Sequence, residues 1–152
     1  MNKIKISFTL LIVIIISSFI YTKFTKNNLN LISLNGKALN ENNFKKNNIL
    51  FIYFSLGCGE CEELLIKVRE KEEVLNRKHQ IVYVSNEKVE RKIIEFIRNK
   101  NIKIDTSKVY IDQSDSFENF FNLDFVVNFP TICLYNVKSN TKTIIAEIDD
   151  LD

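Results

Sequence analysis

Six consecutive apolar residues, Ile49 to Phe54 (ILFIYF), lead into Gly57-Cys58-Gly59-Glu60-Cys61. From Glu60 to Asn76 the chain then contains neither Gly nor Pro. An unbroken apolar run fits a strand buried on both faces, which belongs in a parallel or mixed sheet covered by helices. In the segment that follows, Cys61, Leu64, Leu65, Val68 and Leu75 share one face at helical spacing. Two cysteines therefore stand where a buried strand hands over to an amphipathic helix. No other feature limits the possible folds as strongly.

The remaining elements agree with a mixed sheet. Leu31-Ile32-Ser33-Leu34 and Lys37-Ala38-Leu39 flank Asn35-Gly36, a strong hairpin signal. Ile81-Val82-Tyr83-Val84 reads as a second buried strand, and Asn86 as the cap of a helix carrying Val89, Ile93, Phe96 and Ile97 to about Lys100. Val109-Tyr110-Ile111 is expected to form a short strand and Ser116 to Phe121 a short helix. Thr131 to Tyr135 and Lys142 to Ile148 are expected to pair across a turn at Asn136 to Asn140. The order β-α-β-α followed by a hairpin implies parallel strands first and an antiparallel pair after them. The fold class is α/β, a mixed central sheet flanked by helices, with the usual site at the carboxyl end of the first long strand.

At that end the C-x-x-C spacing supplies a chemistry. Cys58 falls at a helix N-terminus, where unpaired N–H groups and the positive dipole end stabilise a thiolate. The thiolate is the nucleophile that attacks a disulfide sulfur. Cys61 lies one turn further in and can resolve the mixed disulfide. Gly57 and Gly59 are expected to leave Cys58 uncrowded. Glu60, Glu62 and Glu63 crowd the first turn, where carboxylates either simply compensate the helix dipole or also oppose ionisation of Cys58. Glu60, between the two cysteines, is expected to tune the Cys58 pKa most and to favour a reductant. A purely structural disulfide is an alternative. So is a zinc site, for which Cys133 and His79 are the remaining soft ligands and about four are needed.

The stretch from Leu31 to Tyr135 resembles the thioredoxin-like fold, in particular membrane-tethered TlpA/ResA-type thiol-disulfide oxidoreductases. The similarity rests on LISLNGKALNENNF, on ILFIYFSLGCGEC and on VYIDQSDSFENFFNLDFVVNFPTICLYN. By that resemblance Pro130, the only proline in the chain, is a cis-proline facing the dithiol. Phe129, Pro130 and Thr131 then form the substrate-binding edge, with the backbone of Phe129 pairing with the substrate chain. The resemblance implies partners that are protein thiols and disulfides, with an upstream dithiol protein as electron donor. It requires no bound cofactor beyond the Cys58–Cys61 disulfide and no metal, and a monomer is expected. Several positions depart from the family. Gly57 replaces its usual Trp, Glu60 its frequent Pro, and Ile52 and Leu64 stand where relatives carry acids. The usual C-terminal helix is expected to be short or missing.

Residues 6–22 (ISFTLLIVIIISSFIYT) carry no charge and include nine Ile, Leu or Val. As a helix they rise about 25 Å, and the flanking Lys5 and Lys23 can snorkel outward to span the hydrocarbon. A cleavage site needs small residues, whereas this run ends in Phe19-Ile20-Tyr21-Thr22. A signal anchor is therefore expected over a cleaved peptide. It occupies residues 1–26 with its flanks, followed by a thioredoxin-like domain over 27–152. The localisation expected is the cell membrane, single-pass, with the domain on the extracytoplasmic side. Residues 1–26 hold four lysines and no acid, while residues 27–152 hold 17 basic and 19 acidic residues. A weakly acidic body offers no nucleic-acid surface.

Two other functions compete with a dithiol oxidoreductase. A peroxiredoxin-like thiol peroxidase is suggested by Ser55, three residues before Cys58, although Phe51 and Tyr53 occupy the region of its upstream proline. A non-catalytic metal-binding or assembly module is the other, against which stands the lack of a C-x-x-x-C spacing. Cys133, inside an apolar strand, is expected to be buried and structural. His79, between Lys78 and Gln80, is expected to be a solvated loop residue. The pairs Glu63–Lys67 and Glu73–Arg77 are spaced for a charged outer helix face. Phe117, Phe120, Phe121, Phe125 and Phe129 are expected in the core.

Overall fold

The computed structural model describes residues 29–123 and 127–151. The anchor expected over residues 6–22, and Phe125, lie outside the described residues. Among the described residues no helix is long and apolar enough to cross a membrane.

Seven strands form one sheet in the order β2-β1-β5-β4-β3-β6-β7. They are β1 (Leu31–Ser33), β2 (Ala38–Leu39), β3 (Asn48–Phe54), β4 (Gln80–Ser85), β5 (Val109–Asp112), β6 (Thr131–Asn136) and β7 (Thr141–Ile145). β3, β4 and β5 run parallel, and the remaining pairings are antiparallel. Helices α1 (Gly59–Glu70) and α2 (Glu72–Lys78) connect β3 to β4, α3 (Glu90–Asn99) connects β4 to β5, and α4 (Ser116–Phe121) follows β5. The mixed α/β sheet is the one the element order implies.

β3 lies inside the sheet between β4 and β6, and Ile49 to Phe54 are all fully buried. Alternate side chains point to opposite faces. Leu50, Ile52 and Phe54 join Cys61, Leu65, Val68, Leu75 and Ile93 in one core. Ile49, Phe51 and Tyr53 join Phe117, Phe120 and Phe121 in the other. Helices therefore cover both faces, which is why β3 carries no polar residue between Ile49 and Phe54. At Gly36 the opening hairpin adopts φ +75°, which glycine reaches without Cβ strain.

Three local expectations are corrected. The helix expected from Glu60 to Asn76 bends at Lys71, where ψ is 3°, although no Gly or Pro marks the place. The ladder survives the bend, with Lys71 N–H donating to Lys67 and Leu75 N–H to Lys71. The bend carries Leu75 into the same core as Leu65 and Val68, so tertiary packing, not local sequence, places it. Asn86 does not cap α3. Its N–H donates to the carbonyl of Phe54 and extends the strand pairing, while the Glu87 carboxylate accepts the Val89 N–H at 2.9 Å. That bond, and the ion pair with Lys92, hold the Glu87 carboxyl below the usual carboxylate range. His79 is not solvated: it is 6% exposed and closes α2, its N–H bonded to the carbonyl of Leu75. Here the chain turns from helix directly into β4, which leaves the residue little exposed surface.

After β7, a 3-10 turn covers Ile148–Leu151. Ile148 is buried, and Asp149 bridges Lys67 on α1 and Lys71 at the junction with α2. Lys67 is thus drawn toward the C-terminal turn, whereas Arg77 pairs with Glu73 as its spacing implies.

Candidate active site

Cys58 is the N-cap of α1, in extended conformation (φ −87°, ψ 115°), and Cys61 lies in the first turn. The two are joined as a disulfide with 5.2 Å between their Cα atoms. The Sγ of Cys58 accepts the Cys61 N–H at 3.1 Å, a donor that would stabilise a thiolate once the bond is reduced. Cys58 is half-buried and Cys61 has no exposed surface. The geometry gives one sulfur an incoming partner can reach and one it cannot.

Gly57 adopts φ +80°, the left-handed region that side chains enter with strain. A Cβ there, or at Gly59, would meet nothing within 4 Å. Backbone conformation, not clearance around Cys58, therefore explains Gly57, and a Trp at this position would be strained.

Across from α1, the Phe129–Pro130 peptide is cis, as the resemblance implies. The Phe129 carbonyl oxygen lies 3.5 Å from Cys58 Sγ. Thr131 begins β6 opposite Tyr53, and its hydroxyl donates to the carbonyl of Asn128 at 2.6 Å. Cys58, Cys61, Phe129, Pro130 and Thr131 are thus brought to one end of the sheet. Glu60 is exposed, and Glu62 forms an ion pair with Lys100 at 2.8 Å.

Some contacts here carry no local sequence signal. The Phe129 ring packs 5.0 Å from that of Tyr53, whose hydroxyl donates to Glu118 on α4 at 3.0 Å. Burial first, and then the Glu118 charge, push the Tyr53 hydroxyl far above its ordinary value, so it stays a donor. Asp112, fully buried at the end of β5, accepts from the Ser116 N–H and hydroxyl and from the Phe117 N–H. It is the only buried carboxylate among the described residues. Ile52 and Leu64, at the two positions where relatives carry acids, belong to the apolar core around Cys61.

Cys133 pairs with Phe51 and belongs to the core on the α4 face, with the sheet between it and Cys61. Burial pushes its thiol up to about 12, as expected of a structural cysteine. Among the described residues no three His, Cys, Asp or Glu side chains cluster as a metal site.

Neither a protein-family model nor a curated protein sequence matches the chain. Solved structures do. A thiol:disulfide interchange protein from Bacteroides sp. matches with a TM-score of 0.64 at 20% identity, over 81% of this chain and 80% of that one. The thioredoxin domain of a thiol-disulfide oxidoreductase from Bacteroides vulgatus matches at 0.61 and 20%, over 82% and 89%. A secreted disulfide oxidoreductase from Mycobacterium tuberculosis matches at 0.60 and 12%, over 80% and 84%. The fold of this chain is the thioredoxin-like fold. The solved structures it resembles are thiol-disulfide oxidoreductases, and it carries a cysteine pair at C-x-x-C spacing where β3 meets α1.

Proposed function

We propose that the protein is a thiol-disulfide oxidoreductase, tethered to the membrane by residues 6–22, whose dithiol reduces protein disulfides outside the cytoplasm. The observation that carries the reading is the disulfide at the start of α1, with half-buried Cys58 ahead of fully buried Cys61. In the reduced protein the Cys58 thiolate attacks one sulfur of a substrate disulfide. A mixed disulfide forms and the other substrate sulfur leaves as a thiolate. Cys61 then gives up its proton and attacks the Cys58 sulfur. The Cys58–Cys61 disulfide forms, the substrate's second thiol departs, and two electrons have moved to the substrate. An upstream dithiol protein returns them by the reverse sequence. Phe129, Pro130 and Thr131 form the edge along which the substrate chain lies, and no further cofactor takes part.

The tether rests on the chargeless run 6–22 with lysines at both ends. Fractionation of the intact protein should place it in the membrane with the body open to external protease. A soluble product beginning near residues 22–30 would show cleavage instead. For the chemistry, Cys58→Ser should abolish turnover, and Cys61→Ser should accumulate mixed disulfides on Cys58. Trapping by the Cys58 variant instead would exchange the two roles.

A further inference from the structure

A second polar site lies at the opposite end of the parallel strands, where β4 and β5 begin. A cavity of about 380 Å³ is lined there by Lys45, Lys46, His79, Asp105, Ser107 and Lys108, among others. The Lys46 ammonium donates to the carbonyls of Asn76 and, at 3.0 Å, His79. These bonds fix its position at the C-terminal end of α2, whose carbonyls offset only part of its charge because no carboxylate pairs with it among the described residues. Lys108 is held by Glu72 on α2, which offsets its charge. Asp105 is the one acid in the lining, and its carboxylate accepts the Ser107 N–H at 2.9 Å. His79 is 6% exposed, and its Nδ1 has no partner among the described residues.

We propose that this cavity is a binding site for a small oxyanion, with Lys45 and Lys46 supplying the attraction and His79 coupling occupancy to pH. Its lining is net positive, and Lys46 is already immobilised, so binding costs little of that side chain's rotamer entropy. Burial, then the charges of Lys78 and Lys46, hold the His79 imidazole below its ordinary value. The other groups facing this region are Asp105 and Lys108 on the turn before β5, Tyr110 on β5 and Glu72 on α2. An anion in the cavity offsets the two lysines and makes charging the ring easier. By linkage, protonation of His79 strengthens anion binding to the same extent. The site is independent of the dithiol, and its failure leaves the Cys58 chemistry as argued.

His79 is the only histidine in the chain, so its ring resonances report one titration. The test is proton NMR of the full-length protein in neutral detergent, titrated with sodium sulfate against sodium chloride at matched ionic strength. Sulfate stays a dianion throughout, so any pH dependence belongs to the protein. A saturable rise of the His79 pKa in sulfate is expected, with sulfate affinity increasing as pH falls. Replacing exposed Lys45 by Gln should weaken sulfate about threefold, the scale of one exposed charge contact. A shift equal in chloride, one that never saturates, or one untouched by Lys45→Gln overturns the proposal.

Discussion

The carbonyl oxygen of Phe129 stands 3.5 Å from the Sγ of Cys58, although the two residues are 71 positions apart. A carbonyl at that distance can accept a hydrogen bond from a thiol, but it repels a thiolate. It therefore opposes the Cys61 N–H, which supports the thiolate from the other side at 3.1 Å. Once the disulfide is reduced, these two backbone groups act on the Cys58 sulfur with opposite signs.

Tyr53 and Glu118 prop this arrangement, since the Tyr53 ring packs on that of Phe129 and Glu118 anchors its hydroxyl. Tyr53→Leu should let the carbonyl drift from the sulfur, lowering the Cys58 pKa and raising the reduction potential. Tyr53→Phe, which keeps the ring and loses the anchor, should move both less. Thiolate absorbance titration reads the effect. A folded Tyr53→Leu protein with an unchanged titration would remove Tyr53 from this role.

Two acids near the dithiol should respond with opposite signs. Glu60 is exposed in the first turn of α1, and Glu60→Gln at low ionic strength should lower the Cys58 pKa and raise the potential together. Glu62 is already paired with Lys100, so Lys100→Met releases its charge and should raise the Cys58 pKa. An unchanged titration in Glu60→Gln would mean that solvent screens this carboxylate from the sulfur.

Asp112 holds the start of α4 from four residues upstream, accepting from Ser116 and Phe117 in a fully buried setting. Truncating it leaves buried donors unpaired. Asp112→Ala should cost about 3 kcal/mol in a urea unfolding experiment, and Asp112→Asn less, because the amide oxygen still accepts. A cost near zero would show that water replaces the carboxylate.

Stability should depend on pH through His79, whose pKa is lowered by burial and by Lys78 and Lys46. In the unfolded chain the imidazole protonates near about 6.5, and in the folded protein only at lower pH. Between these values the unfolded state binds more protons, so acidification favours unfolding and stability rises with pH. The contribution is fully present above the unfolded value and lost as pH falls toward the folded one. Denaturation midpoints from about pH 7 to pH 5 should show this slope, and His79→Gln should flatten it. An identical slope in the variant would assign it to other groups.

The sequence by itself determined the order of elements and the position of the dithiol. The apolar run Ile49 to Phe54, the Gly- and Pro-free helical stretch after it and the Asn35-Gly36 turn act through local pattern, which survives without knowledge of distant contacts. Cys58 at the head of α1 followed from the same junction, and the resemblance implied cis-Pro130 beside it. Tertiary structure decided what depends on partners far along the chain. The bend at Lys71 exists because Leu75 must reach the core beneath β4, and His79 is buried because α2 ends directly against that strand. Asn86 is tied to the Phe54 carbonyl instead of capping α3, whose N-cap is Val89, held from the preceding turn by Glu87. Gly57 read as clearance in the sequence but proved to be a backbone requirement, since its positive φ is set by how β3 enters α1. The environment of Cys58 is the clearest case. Phe129, Tyr53 and Glu118 come from a loop, a strand and a helix that only the folded sheet brings together, so no spacing in the sequence could encode their distances.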